Sequence, residues 1–231
     1  MIATWTCPLA DSAVSEELLV TIGDGSNASL LIIPPLFAEH NLMRRQLLLI
    51  MRALESFDIA THLPDLPGWN ESTQPLHEQS LACWRSMMEE VARQVEASHV
   101  LAVRSGALLV PDKCEGWLYA PQSGVKLIRG MVRAQGISNR EAGVDLSSEE
   151  MMENGRNQGI TLAGWEIGAQ LFRDLEGAEV NATLDISEIT QEDAGSPGLW
   201  LRAEPDENTQ QAIQIAEIIA QAIPDNGVGE T

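Results

Sequence analysis

Residues 102–106 have the spacing of a nucleophile elbow, the sharp turn between a strand and a helix that presents a catalytic serine. Such an elbow reads Gly-x-Ser-x-Gly, whereas this chain reads Ala102-Val103-Arg104-Ser105-Gly106. Arg104 therefore stands at the nucleophile position, and a guanidinium that stays protonated cannot attack a carbonyl carbon. Ser105 lies one position later, where the residue normally lends its backbone N–H to an oxyanion hole, so it would have to act as a displaced nucleophile.

The histidines lie on the wrong side of this turn for a serine hydrolase. A triad of this design needs a late histidine that takes the proton of the serine. The loop in which that base is expected, residues 190–197, carries two carboxylates and an amide but no histidine. The four histidines of the chain all precede the elbow: His40, His62, His77 and His99. An ordinary Ser-His-acid triad cannot be assembled in chain order.

An arginine at the bottom of a cleft needs a partner, because an unpaired buried charge is costly. Glu166 follows the strand expected after an inserted segment, where the acid of a triad would stand. Glu39 and Asp65 are the other candidate partners. We expect an Arg104–Glu166 ion pair at the former catalytic position. It would be either a structural salt bridge or, with or without Arg44 or Arg45, an anchor for an anionic ligand such as a carboxylate or phosphate.

The loops after the predicted strands supply the other candidate site residues. Backbone N–H groups near Leu36 and Phe37 would complete an oxyanion hole with that of Ser105. Glu39 and Glu166 are also candidate bases that would activate a water molecule in place of a serine. Aromatic side chains beside the cleft would stack on a ligand or pack in the core. The expected binding residues are Leu36, Phe37, Glu39, Asn41, Arg44, Asp65, Trp69, Arg104, Trp165 and Glu166.

Strands that alternate with helices must position these residues. The apolar run 28–33 predicts a central strand, which Pro34 ends, and the run before Arg104 predicts another. Apolar residues at helical spacing predict a helix over 41–57, with Asn41 as its N-cap, and another from Ser80 to about residue 97. This alternation predicts an α/β protein whose mostly parallel central sheet has helices on both faces. Ligands of such sheets bind at the carboxyl ends of the strands.

The second half of the chain has a less regular pattern. We predict a strand over 159–164, a helix over 165–176, a last short strand at 199–201 and a final helix over 208–223. One domain is expected over 1–223, with a small lid-like helical insertion at about 121–157. Residues 224–231 are expected to form a flexible tail.

The composition excludes several classes of partner. The chain has 231 residues, a formal net charge of −20 and a sequence pI of about 4.4. Such a charge argues against binding to nucleic acid or to anionic lipid. The three cysteines do not have metal-ligand spacing, and no nucleotide-binding motif is present, so we expect neither a metal nor a cofactor. Neither a signal peptide nor a membrane span is predicted, and we expect a soluble cytoplasmic protein.

Five stretches in order carry a family resemblance. The elbow itself is one of them, and its arginine matches the resemblance, although Ala102 replaces the first elbow glycine. The others are Pro34-Pro35 with Glu39, Asn41, Arg44 and Arg45; residues 63–66 with Gly68 and Ser72; Pro121 with Gly124, Leu127 and Arg129; and Ala163-Gly164-Trp165-Glu166-Ile167. Together these stretches resemble the exosortase A system-associated hydrolases of type 2, a branch of the α/β-hydrolase superfamily.

The resemblance implies an α/β-hydrolase fold and a setting beside exosortase or exopolysaccharide-pathway proteins, without fixing a reaction. Three hypotheses follow. The chain is a divergent member without triad catalysis that binds a small molecule, an anion or a protein of that pathway. Alternatively, it hydrolyses an ester or thioester with an unusual set of residues. In the third hypothesis it is an interaction protein whose cleft is closed by its own side chains.

Overall fold

The computed structural model describes residues 1–9, 13–24, 27–112, 114–181 and 186–224. Nearly all of the predicted tail, residues 225–231, lies outside these ranges. The strands are β1 (Ile2–Pro8), β2 (Val14–Ile22), β3 (Ala28–Ile33), β4 (Ile59–Pro64), β5 (His99–Val103), β6 (Glu115–Tyr119), β7 (Ile160–Leu162), β8 (Trp165–Ile167) and β9 (Ile186–Ile189). The α-helices are α1 (Ala38–Glu55), α2 (Leu81–Gln94), α3 (Gly124–Glu141), α4 (Ser148–Gln158), α5 (Ala169–Gly177) and α6 (Thr209–Ala222).

Seven strands form the central sheet in the order β1-β2-β4-β3-β5-β6-β9. The β1–β2 and β2–β4 pairs are antiparallel, and all the other pairs are parallel. The predicted mostly parallel sheet is thereby confirmed. Strands β3, β4, β5, β6 and β9 run in the same direction, so the loops that follow them meet at one edge of the sheet.

The sheet has a hydrophobic core on each face, because successive side chains of a strand point to opposite sides. Leu31 and Ile33 belong to the core covered by α2, α3 and α5. Leu30 and Ile32 belong to the core covered by α1 and α6. Central strands therefore bury both faces, which explains their uninterrupted apolar runs.

Helix α1 begins earlier than the sequence indicates. Its N-cap is Phe37, whose φ is 56°, and the first helical residue is Ala38. The prediction of Asn41 as the N-cap is wrong, because Asn41 lies within the helix and is exposed. Ser80 does cap α2, as predicted, by accepting a hydrogen bond from the backbone N–H of Cys83.

The elbow leads into a short 3-10 helix where a hydrolase elbow leads into an α-helix. This 3-10 helix, Arg104–Leu109, follows β5, and Val110 is its C-cap. The next residue is Pro111, and a proline disfavours the helical conformation of the residue before it. The chain therefore turns away after six residues instead of continuing as an α-helix.

The predicted strand 159–164 and helix 165–176 are wrong in detail. β7 and β8 form an antiparallel hairpin separate from the central sheet, and the helix begins only at Ala169. Ala163 and Gly164 have φ values of 49° and 86° and connect the two strands. Positive φ at both central residues is typical of the two-residue turn that reverses a hairpin.

The predicted strand at 199–201 is instead a 3-10 helix, Leu199–Leu201. The N–H groups of Leu201 and Arg202 donate to the carbonyls three residues earlier, which gives the segment local partners instead of a neighbouring strand. The segment predicted as an insertion, 121–157, contains α3 and most of α4; its role as a lid stays a prediction. No helix in the described ranges combines the length and apolar character that a membrane span requires.

Candidate functional site

The turn after β5 has the strained geometry of an elbow even though it lacks a serine nucleophile. Arg104 has a φ of 55°, a value that non-glycine residues rarely adopt. Gly106 lies so close to the end of β3 that an added Cβ would be 2.5 Å from the carbonyl oxygens of Ile33 and Pro34. The conformation therefore brings Arg104 to the edge where the parallel strands end.

The Arg104 guanidinium is held from three directions. Its Nε and one terminal nitrogen donate to the two carboxylate oxygens of Glu39, at 3.1 and 3.4 Å. The other terminal nitrogen donates to the carbonyl of Ala120 at 3.1 Å. The guanidinium carbon lies 4.4 Å from the centre of the Trp200 ring, within the range of a cation–π contact. These contacts fix Arg104 in one orientation.

The expected Arg104–Glu166 ion pair is wrong, because Glu39 takes that place. The Arg104 and Glu39 side chains are only 15% and 20% exposed, so their ion pair is shielded from water. Glu166 lies on the separate hairpin with 74% of its side chain exposed, and its nearest basic group is His77, with Oε2 3.8 Å from Nδ1. The two-residue turn before β8 carries Glu166 away from the elbow.

Tyr119 lies beside the arginine. It pairs with Val103 in the sheet register and packs edge-on against Trp200, with ring centroids 5.5 Å apart. Burial raises the pKa of Tyr119 to about 12, although the Arg104 charge opposes that rise. Its hydroxyl has no hydrogen-bond partner in the described part of the chain. Tyr119 therefore stays protonated at neutral pH.

Ser105 is completely buried and does not act as an exposed nucleophile in this geometry. Its hydroxyl oxygen accepts a hydrogen bond from the backbone N–H of Leu36 at 2.9 Å. That N–H is one of the groups expected to form the oxyanion hole. The Ser105 side chain therefore occupies the Leu36 N–H, so this N–H is not free to bind an oxyanion in the cleft.

A cavity of about 240 Å³ remains beside the elbow, between the start of α1 and helix α3. Most of its lining is apolar, and Glu39 and Gln122 supply the polar groups. Gln122 Oε1 has no hydrogen-bond partner among the described residues. The cavity is lined by Leu36, Phe37, Ala38, Glu39, Gln122, Leu127, Gly130, Met131, Ala134 and Ala163.

A second polar cluster adjoins the elbow on the β4 side. Asp65, which follows β4 and is 1% exposed, accepts a hydrogen bond from Arg44 at 3.2 Å. The same Arg44 nitrogen lies 2.9 Å from His40 Nε2, and Asn70 lies 3.5 Å from that ring nitrogen. Burial lowers the pKa of His40 to about 4, against the opposing effect of Asp65 and with a smaller contribution from Arg44. His40 is therefore neutral at pH 7, with Nε2 accepting from Arg44.

The aromatic candidates pack against one another beside the cleft. Trp69 is buried and packs edge-on against Trp84 and His40. The half-buried Trp165 packs edge-on against Phe37, with ring centroids 5.6 Å apart. Phe37 in turn contacts Trp84. The structure thus connects the expected aromatic residues into one packed series.

Several predicted residues lie away from the Arg104 cluster. Asn41 is exposed on α1, and Arg45 pairs with Glu207. Among the other histidines, His62 Nδ1 lies 3.1 Å from the Thr21 hydroxyl. His99, at the start of β5, stacks on Trp117. No histidine among the described residues makes a hydrogen bond or ion pair with Arg104 or Ser105.

Sequence reasoning missed Trp200, the carbonyl of Ala120 and Gln122. A main-chain carbonyl carries no residue-type signal, and Trp200 lies almost a hundred residues after the elbow. The one local signal is the apolar segment 199–201, whose sequence predicts a strand. Because that segment is a short 3-10 helix, it presents Trp200 to the guanidinium instead of to a neighbouring strand.

The fold resembles those of solved hydrolases. A putative hydrolase from Agrobacterium vitis S4 matches 97% of this chain and 99% of its own length, with a TM-score of 0.60 and 11% identity. The esterase domain of a Rhodothermus marinus protein matches 96% of this chain and 97% of its own length, with a TM-score of 0.54 and 14% identity. A bromoperoxidase from Bacillus anthracis matches 95% of this chain and 99% of its own length, with a TM-score of 0.52 and 14% identity. No protein-family model matches the chain, and neither does any curated protein.

The structural similarity to these proteins establishes the fold. Because the sequence identities are so low, the chemistry has to be argued from the residues of this chain. The strand order, the strained turn after β5 and the structural matches agree. This chain has the α/β-hydrolase fold.

Proposed function

We propose that this chain is a non-hydrolytic binding member of the α/β-hydrolase superfamily, whose elbow cavity holds a small neutral molecule. The observation that carries the proposal is the fixed position of Arg104. It occupies the nucleophile position at a φ of 55°, held by Glu39, the Ala120 carbonyl and the Trp200 ring.

The surroundings of Arg104 support the absence of triad catalysis. Acyl transfer needs a nucleophile, a base within hydrogen-bond reach and donors aimed at the developing oxyanion. Here the adjacent Ser105 is buried, and its oxygen occupies the Leu36 N–H. The buried His40 is bound to Arg44 beside Asp65. The three components of the reaction are not arranged around one reacting atom.

The lining of the cavity indicates the chemistry of its ligand. Glu39 lines it, whereas Arg104 lies behind Glu39, so an anion would meet the carboxylate first. Gln122 Oε1 has no partner among the described residues and would accept a hydrogen bond. A volume of about 240 Å³ equals that of roughly eight water molecules. We therefore infer a small, mostly apolar, neutral ligand with one hydrogen-bond donor.

The biological setting is part of the same proposal. The ordered motifs around Pro34, Arg104 and Glu166 resemble the exosortase A system-associated hydrolases of type 2. On that resemblance we place the chain beside the exosortase or exopolysaccharide machinery.

The test of the proposal is turnover of p-nitrophenyl acetate and of an acyl thioester. We expect both rates to equal the rate in buffer, because the elbow carries Arg104 in place of a nucleophile and Ser105 is buried. Saturable turnover that is lost in Glu39→Gln would contradict the proposal and support the alternative, a hydrolase in which Glu39 activates water.

A binding measurement on the same protein separates a ligand site from a closed cleft. Isobutyramide, a small neutral amide, is the probe in ligand-observed NMR. We expect Ala134→Leu to abolish binding because it fills the cavity, whereas Ala142→Leu, at the exposed end of α3, leaves binding intact. Absence of binding to the unmodified chain would favour the third hypothesis, an interaction protein with a closed cleft.

A further inference from the structure

A larger groove lies outside the elbow, between helices α3 and α4. Its volume is about 850 Å³. Four arginines line it, although the whole chain has only 14 basic residues against 34 acidic ones. These four are Arg129, Arg133, Arg140 and Arg156.

Three of these arginines form a stripe along α3. Residues 129, 133 and 140 are spaced by four and seven positions, which places them on one side of the helix. With a rise of 1.5 Å per residue, the stripe extends over roughly 16 Å. The positive charges are therefore spread along a line and do not converge on a point.

The arginines of the stripe make no close ion pair among the described residues. Arg156 pairs with Glu176, and no acidic group there lies within 4.0 Å of the guanidinium nitrogens of Arg129, Arg133 or Arg140. Glu176 is nevertheless near enough that the Arg129 charge adds to the main effect of the Arg156 hydrogen bond in lowering the pKa of the Glu176 carboxyl. Arg140 Nε instead donates to the carbonyl of Gly136 on its own helix. Arg129 and Arg133, four residues apart, repel each other. Binding of an external anionic group to the stripe would relieve this local repulsion.

The groove also offers apolar contacts. Val132 lies at its base, Val144 is 50% exposed, and Leu146 and Met152 complete the apolar lining. Asp145 and Glu149 are the acidic groups of the groove besides the paired Glu176. A ligand that matches this lining carries negative charges at intervals, with apolar groups between them.

We propose that this groove binds an extended acidic segment of a partner protein, in which acidic and apolar side chains alternate. Side chains on one face of an extended chain recur roughly every 6.7 Å, close to the rise of about 6 Å between Arg129 and Arg133. A single phosphate would engage only one end of the stripe. This site is independent of the elbow cavity and of the function proposed for it.

The probe for this site is a fluorescent peptide of about seven residues in which glutamate and leucine alternate. We expect the unmodified chain to bind it, and Arg129→Glu/Arg133→Glu to raise its Kd about tenfold or more through loss of two charge-assisted contacts. The matched control, Arg52→Glu/Lys126→Glu, makes the same charge change at exposed positions outside the groove and leaves the Kd within about twofold.

A second variant keeps the test decisive if the charge reversal prevents folding. Asp145→Asn/Glu149→Gln removes the two groove carboxylates that form no ion pair with a described residue, and we expect tighter binding of the acidic peptide. Equal weakening in the control variant would overturn the proposal. So would equal affinity for a peptide of alternating lysine and leucine, or displacement of the acidic peptide by millimolar inorganic phosphate, which would indicate a site for a single anion.

Discussion

At the scale of single residues, Arg104 keeps a strained backbone without the nucleophile that usually occupies it. A non-glycine residue at positive φ costs about 1–3 kcal/mol, and the surrounding structure must offset that cost. The bidentate contact with Glu39, the hydrogen bond to Ala120 and the Trp200 ring supply such contacts. Removal of the guanidinium would leave Glu39 largely shielded from water and without its partner.

His40 is a buried residue whose titration should lower stability in acid. Burial lowers its pKa from 6.5 to about 4, so the unfolded state binds the proton more readily between those values. The free energy of unfolding should therefore fall by up to about 3 kcal/mol as the pH drops from 6.5 to 4, and this contribution is fully present above pH 6.5. Chemical denaturation across this pH range measures it.

His40→Gln provides the comparison, because a glutamine oxygen can still accept from Arg44. We expect a shallower loss of stability between pH 6.5 and 4 in this variant. The loss does not vanish, since burial also lowers the pKa of His62. Parallel profiles for the variant and the unmodified chain would show that His40 titrates alike in the folded and unfolded states.

At the scale of elements, the elbow depends on the close approach of the 3-10 helix to β3. A Cβ at residue 106 would lie 2.5 Å from two backbone oxygens, and backbone cannot move aside as a flexible side chain can. Gly106→Ala should therefore lower the free energy of unfolding by about 3 kcal/mol or more, measured by chemical denaturation.

Gly130→Ala is the matched control within α3. Apart from its chain neighbours and the backbone of its own helix, no described heavy atom lies within 4 Å of a Cβ at that position, and the residue is exposed in mid-helix. Alanine should raise stability there by about 0.5–1 kcal/mol, because it reduces the conformational entropy lost on folding. Equal effects of the two substitutions would refute the assigned contact between the elbow and β3.

Most elements could be predicted because their signals are local. The apolar run of β3, the stripe of α1 and the Ser80 cap of α2 each depend on neighbours in the sequence. The hairpin β7–β8 could not be predicted from local signals, because the turn at Ala163 and Gly164 requires a positive φ at an alanine, and alanine seldom adopts a positive φ. An apolar stretch cut by such a turn has the same composition as a strand followed by a helix.

The sequence predicts where the site lies better than it predicts which residues contact one another there. Arg104 on the elbow, and Glu39 among its candidate partners, follow from motif spacing. The selection of Glu39 over Glu166 depends on where the hairpin lies, and that is decided by tertiary packing. Neither the Ser105–Leu36 hydrogen bond nor the Trp200 contact has a counterpart in sequence spacing.

At the scale of the whole molecule, charge is unevenly distributed. The 34 acidic residues outnumber the 14 basic ones, yet four arginines line one groove and Arg104 is bound to a carboxylate at the elbow. Much of the remaining surface is therefore acidic and repels itself in the folded state. Exposed ion pairs such as Arg45–Glu207 offset little of this repulsion.

This imbalance predicts that moderate salt stabilises the fold. The Debye length falls from about 30 Å at 0.01 M to about 8 Å at 0.15 M ionic strength, so repulsion between distant carboxylates is screened first. We expect the Tm in circular dichroism to rise between these NaCl concentrations. The variant Arg52→Glu/Lys126→Glu adds negative charge outside the groove, so its Tm should rise more steeply with NaCl concentration than the Tm of the unmodified chain. A Tm that falls with NaCl would mean that ion pairs, not net charge, dominate the electrostatic free energy of folding.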